Sequence, residues 1–155
     1  MTHQKNITKQ ASLLFFLLVV FFHKPVFSEE IFLFGYAPTY QNDTISFYHF
    51  PDPVSKVPVE IGQCPVDELG VFRFEFESDE TWQVFANLGV FQVYLFAKPG
   101  KEYEVKLPPK QEKTLNDILN PFFQALSIHI HILNTDSLEL NFLIQSFEQK
   151  YQPYF

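Results

Sequence analysis

The chain has 155 residues, 46% of them hydrophobic, with 20 Phe, 5 Gly, a single Cys and a formal net charge of −7. Three of its 11 basic residues, Lys5, Lys9 and Lys24, fall within the first 28 positions and all 18 acidic residues fall after them, so the remainder carries a net charge near −10. Such a surface excludes nucleic acid, whose binding needs cationic faces that displace counterions, and it disfavours anionic lipid headgroups; the acidity reads as solubility.

In chain order, residues 1–10 are polar with Lys5 and Lys9, residues 11–22 are apolar apart from Ser12, and Val26-Phe27-Ser28 precedes a cut. This is the three-part pattern of a secretory leader. The apolar run stops at His23, Lys24 and Pro25, short of the roughly 20 residues of a membrane-spanning helix. The sequence therefore predicts a signal peptide over 1–28, an exported protein of the periplasm or cell envelope, and no integral membrane span after leader removal. Retention of the leader as an uncleaved anchor is the alternative. Residues 29–155 have the length of one domain.

From Glu29 onward the hydrophobic period is two. Strands are expected over 31–36, 44–50, 57–61, 71–76, 81–86, 91–97 and 103–107, separated by turn residues such as Pro51-Asp52-Pro53, Asp67 to Gly70 and Pro99-Gly100. Phe72, Phe74 and Phe76 alternate with Arg73, Glu75 and Glu77, so one face is core and the other wet. The sole Trp, Trp82, alternates with polar neighbours in the same way and is expected in the core. Seven short strands without long helices between them predict a mainly β protein, a seven-stranded antiparallel sandwich over 29–108.

Pro108-Pro109 ends the last strand, since proline cannot donate to a ladder, and 109–114 reads as a linker. The rest, 115–155, reads as a short C-terminal helical segment. It has helical turns near 115–119, a restart at Asn120-Pro121, apolar residues over 122–133, and a helix from Asp136 to about Lys150 with Glu139 completing a capping box. Leu140, Leu143, Phe147 and Tyr151 would form its apolar face.

Several residues could carry chemistry. Cys64, flanked by Gln63 and Pro65, has no second cysteine and no charged base within two positions, so it reads as an inert buried thiol rather than a redox nucleophile. His129 and His131 would lie on one side of a strand as two metal ligands, without a third. His49 stands alone, and no Gly-x-Ser-x-Gly elbow accompanies it. The pairs Glu75/Glu77 and Glu102/Glu104 place carboxylates about 7 Å apart on single strands, within the range of glycosidase acid and base pairs, although the solvated side of a strand has the same appearance. Asn42-Asp43-Thr44 is a glycosylation sequon in a turn. No Gly-rich phosphate loop occurs. No catalytic, cofactor-binding or metal residue is therefore assigned, and no cofactor is implied.

The stretches Gly35-Tyr36-Ala37-Pro38-Thr39-Tyr40, Ile45-Ser46-Phe47-Tyr48, Val66-Asp67 with Gly70-Val71-Phe72-Arg73-Phe74, and Tyr94-Leu95-Phe96-Ala97-Lys98-Pro99-Gly100-Lys101-Glu102-Tyr103 resemble the N-terminal module of secreted Bacteroidetes proteins, many of which carry a thioredoxin-like thiol-disulfide oxidoreductase domain downstream. The resemblance spans roughly residues 29 to 125 and implies an immunoglobulin-like or transthyretin-like sandwich without catalytic residues of its own. The chain has no Cys-x-x-Cys, so redox activity does not carry over. The expected function is a non-catalytic module for protein interaction or domain spacing, its partner an envelope protein or a separate catalytic domain. The alternatives are a truncated oxidoreductase-type protein and a small carboxylate-dependent hydrolase.

Overall fold

The computed structural model describes residues 28–52, 54–134 and 136–151; the leader expected over 1–28 lies outside these, Ser28 excepted. The strands are β1 (Glu29–Tyr36), β2 (Thr44–His49), β3 (Val59–Pro65), β4 (Val71–Ser78), β5 (Trp82–Leu88), β6 (Phe91–Ala97), β7 (Glu102–Lys106), β8 (Leu126–His129) and β9 (His131–Ile132). A 3-10 turn, Pro38–Tyr40, follows β1, and the helices α1 (Leu115–Leu119) and α2 (Leu140–Tyr151) lie in the C-terminal part. One sheet has the order β4-β1-β7-β9 and the other β3-β2-β5-β6-β8.

Alternation produces the faces. Every second residue of β4, beginning at Phe72, is buried, and the charged residues between them are exposed. Val93, Leu95 and Ala97 do the same in β6. The inward side chains of both sheets join in one cluster that includes Ile31, Leu33, Phe47, Phe74, Val84, Leu95 and Val105. Each large apolar side chain so buried contributes about 1.5–3 kcal/mol. Phe47 and Phe74, from opposite sheets, stack with ring centroids 4.5 Å apart. Trp82 is only half-buried at the margin of this core, between His49 and Phe76.

Several expectations require correction. The third strand, expected over 57–61, runs Val59–Pro65 and so includes Cys64. Among the described residues the strands number nine rather than seven, because the segment read as helical supplies β8 and β9. The pairing is mixed rather than antiparallel throughout: β1 runs parallel to β7, and β6 parallel to β8. The final helix begins at Leu140, not at Asp136. Asp136 instead accepts the Leu138 N–H in the preceding turn, while the Glu139 carbonyl accepts the first helical amide, Leu143 N–H.

The misreading of 122–133 has a physical cause. Taken as one apolar stretch with Phe122 and Phe123, the segment hides that Leu126-Ser127-Ile128-His129-Ile130-His131-Ile132 alternates strictly, which is the period of a strand, and the chain uses it to cross between sheets. Residues up to His129 pair with β6, Ile130 is buried with 3% exposure, and His131 begins the pairing with β7. The stretch expected as a linker is also anchored. Lys110 N–H donates to Thr39 Oγ1, Val90 N–H donates to the Gln111 carbonyl, and Lys110 Nζ sits 2.8 Å from Asp43. The sheets therefore continue past residue 108 to Ile132.

Two turns show how short motifs fix register. Asp67 accepts the amides of Leu69 and Val71 through Oδ1, while Gly70, at φ +83°, takes the left-handed conformation that closes the loop into β4. At the β6–β7 turn, the Tyr103 hydroxyl accepts the Lys98 N–H at 3.0 Å. Gly35 has a different role. A Cβ there would collide with the Val105 carbonyl oxygen of the parallel neighbour β7. Gly35→Ala is expected to lower stability by about 1–3 kcal/mol, the usual cost of overpacking a rigid site. Urea denaturation checks it, and an unchanged midpoint would contradict the close approach.

Candidate functional site

The sites suggested by sequence disperse in three dimensions. His129 and His131 belong to strands of different sheets but border one hollow beside Pro108, and the His129 nitrogens lie against the Ile130 carbonyl and the Asn141 Oδ1. Among the described residues no three His, Cys, Asp or Glu side chains gather as a metal site requires. Glu75 and Glu77 stand exposed on the outer face of β4. Glu102 is exposed and Glu104 half-buried on β7. Asn42 of the sequon is exposed in a turn with φ +62°, a conformation Asn tolerates better than most residues.

Cys64 is 1% exposed, and its thiol donates to the Arg73 carbonyl at 3.2 Å. Burial pushes its pKa above the ordinary value. A thiolate is therefore disfavoured, and with it nucleophilic reactivity. Asp52 spends its carboxylate on the Val54 and Ser55 amides, which hold its pKa low. It does not orient His49, whose ring instead stacks on Trp82 at 4.0 Å with Nδ1 buried and without a partner among the described residues.

The most organised polar cluster lies on the outer face of β6 and β8, under α2. Strand alternation turns Tyr94 and Phe96 away from the core, and α2 covers them. The helix attaches chiefly through a polar residue. Asn141 is 1% exposed, while Leu143 and Phe147 of the apolar stripe are 50% and 61% exposed. The Asn141 Oδ1 accepts the Phe96 N–H at 2.7 Å, and its Nδ2 donates to the Phe96 carbonyl at 2.8 Å.

Because a backbone N–H can only donate, the Phe96 contact fixes which amide atom is oxygen. His129 Nε2, 3.1 Å from that oxygen, is then a donor, and its Nδ1 lies 3.0 Å from the Ile130 carbonyl. Glu139 completes the cluster by accepting from Asn141 Nδ2 at 2.9 Å and from the Asn141 backbone N–H at 2.7 Å. Both amide protons and the oxygen of Asn141 are satisfied, which a buried carboxamide requires. Farther along the helix, the Tyr94 hydroxyl donates to Glu148 at 3.0 Å. Burial, reinforced by that carboxylate, pushes the Tyr94 pKa up to about 12.

The helix leaves two open grooves. One, of about 550 Å³, lies beside the β6–β7 turn and is lined by Leu138, Leu140 and Leu143 together with Lys98 and Lys101. The other, of about 490 Å³, lies between the β8 edge and the second half of α2, with Phe147 and Tyr151 on the helix side and Ser127 and His129 on the strand side. Sequence reasoning found the stripe and missed Asn141. A lone Asn beside Leu140 carries no signal that it, rather than the stripe, is the buried residue.

No family model, no curated protein and no solved structure matches this chain.

The His49 environment predicts a pH dependence. Burial lowers its pKa from the ordinary 6.5, with Glu80 opposing. The unfolded chain therefore takes up a proton as pH falls through about 6.5 while the folded protein resists. This stability is fully present above 6.5 and is lost as pH falls through the depressed folded value. His49→Phe keeps an aromatic ring on Trp82 and removes the proton linkage. The wild-type urea midpoint should fall more than that of H49F between about pH 7.5 and pH 5.5, and parallel profiles would contradict the assignment.

Proposed function

We propose that the chain is an exported, non-catalytic β-sandwich module, immunoglobulin-like or transthyretin-like, that serves protein interaction or domain spacing at the cell envelope. The observation that carries this reading is where the apolar surface lies. Leu115, Ile118, Leu119 and Phe122 are 65–85% exposed, and α1 buries none of its residues. The stripe of α2 adds Leu143 and Phe147. Outward positions of β4 carry Arg73, Glu75 and Glu77 beside a single apolar residue, Val71. Of the eighteen exposed large apolar side chains among the described residues, twelve lie between Leu115 and Tyr151, and such a share in a strongly acidic chain supports a contact region there.

The leader pattern of residues 1–28 supports export. Among the described residues no helix is long and apolar enough to cross a membrane. The isolated settings of Cys64, His49 and the glutamate pairs favour a binding role over catalysis, because acid–base chemistry needs such groups brought together with separated pKa values.

Immobilised residues 29–155 exposed to envelope extract of the native source should retain a protein that the double variant Phe122→Ser, Phe147→Ser does not. Trp82 fluorescence serves to verify that both are folded. Identical retention by the two would remove the C-terminal apolar surface from the function.

A further inference from the structure

Four strands lie at sheet edges, and three are blunted. β3 carries Glu60, a register shift opposite Phe47/Tyr48, and Pro65 at its end. β4 carries Arg73, Glu75 and Glu77, and its Arg73 carbonyl already accepts the Cys64 thiol. β9 has only two residues. Charges, bulges, prolines and shortness are the usual means by which proteins stop edges from pairing.

The fourth edge, β8, is four residues long and carries no charge, bulge or proline: its sequence is Leu-Ser-Ile-His. Leu126 N–H bonds to the Val90 carbonyl and Ile130 N–H to the Tyr94 carbonyl, so even-numbered residues turn their backbone groups toward β6. Alternation then aims the N–H and C=O of Ser127 and His129 at the open side, where they have no main-chain partner among the described residues. The groove of about 490 Å³ runs along this edge, walled by Phe147 and Tyr151, whose ring centroids lie 4.5 Å apart.

We propose that the β8 edge and the facing side of α2 form a peptide-binding groove, in which an extended segment of another protein adds as a sixth strand to the five-stranded sheet. Main-chain bonds to Ser127 and His129 would hold the segment, and an apolar side chain would lie against Phe147 and Tyr151. This is recognition by strand addition, with backbone bonds giving affinity and a side-chain pocket giving selectivity. Beyond residue 28 the chain carries a net charge near −10, and Glu148 lines the groove, so the segment is uncharged or basic rather than acidic. The proposal rests on the interaction reading above and narrows it to one edge and one ligand class.

Selection from a random heptapeptide display library on residues 29–155 tests it, with ¹⁵N spectra of the protein recorded against the enriched peptides. Enriched sequences should alternate apolar and polar residues, lack net negative charge, and shift the Ser127 and His129 amides. Ser127→Pro deletes an outward N–H without touching the ladder to β6 and should weaken binding about tenfold, the equivalent of one such bond. Ser127→Ala, which loses only the hydroxyl contact with Gln92 at 3.1 Å, should bind as wild type.

Peptides that shift residues around α1 instead would overturn this site while leaving the interaction reading intact. No enrichment over a blank surface would count against both. Concentration-dependent dimers in sedimentation, abolished by S127P, would assign the edge to a second copy of the chain and overturn the heterologous-peptide proposal.

Discussion

The carboxamide of Asn141 closes the sheet edge that the chain opens when it crosses between sheets. At Ile130 the backbone leaves β6 for β7, and Phe96, the next position along β6 on that side, loses the strand that would have paired with it. Asn141 supplies a donor and an acceptor in the geometry of a neighbouring peptide. Without it, two backbone groups beneath a helix would be unsatisfied, at about 1–3 kcal/mol each. The position of α2, and so of both grooves beside it, follows from that contact.

The crossing also ties the sheets together. On one margin β8 and β9 are continuous through Ile130, and on the other β3 meets β4 through the Cys64 thiol and the Arg73 carbonyl. The core between is dense in aromatic rings, with Phe47 against Phe74 and Phe74 against Phe76. Side chains that the sheets do not need are left outside. The apolar residues of α1 and much of the α2 stripe are exposed, and α2 is held by hydrogen bonds rather than by burying its stripe.

Six of the first seven strands were legible because period-two alternation with Pro, Gly and Asp at the turns has one physical reading: Phe72, Phe74 and Phe76 can face only one way; the third, expected over 57–61, lies four residues further on at its end, at Pro65. Cys64 was legible as a buried thiol from its uncharged neighbours. Residues 126–132 carried the same signal, Leu-Ser-Ile-His-Ile-His-Ile alternating with period two, and were missed by being read together with the apolar residues before them; what nothing local announces is that one residue passes from sheet to sheet. The stripe of α2 pointed toward the core by composition, yet its orientation is set by Asn141, whose partners lie 45 residues away at Phe96. Long-range edge pairing by a single side chain leaves no periodic trace. The candidate site was accordingly the least legible part, being assembled from a strand that read as helix and a helix attached by its polar side.

Hydrogen exchange at the Phe96 amide, measured residue by residue in the wild type and in Asn141→Ala, tests the attachment most directly. The structure predicts strong protection in the wild type. In the variant, protection should be lost at Phe96 and along α2, while the β4 amides of Phe72, Phe74 and Phe76 retain theirs. Rapid exchange at Phe96 in the wild type, or a variant in which α2 stays as protected as before, would contradict the account.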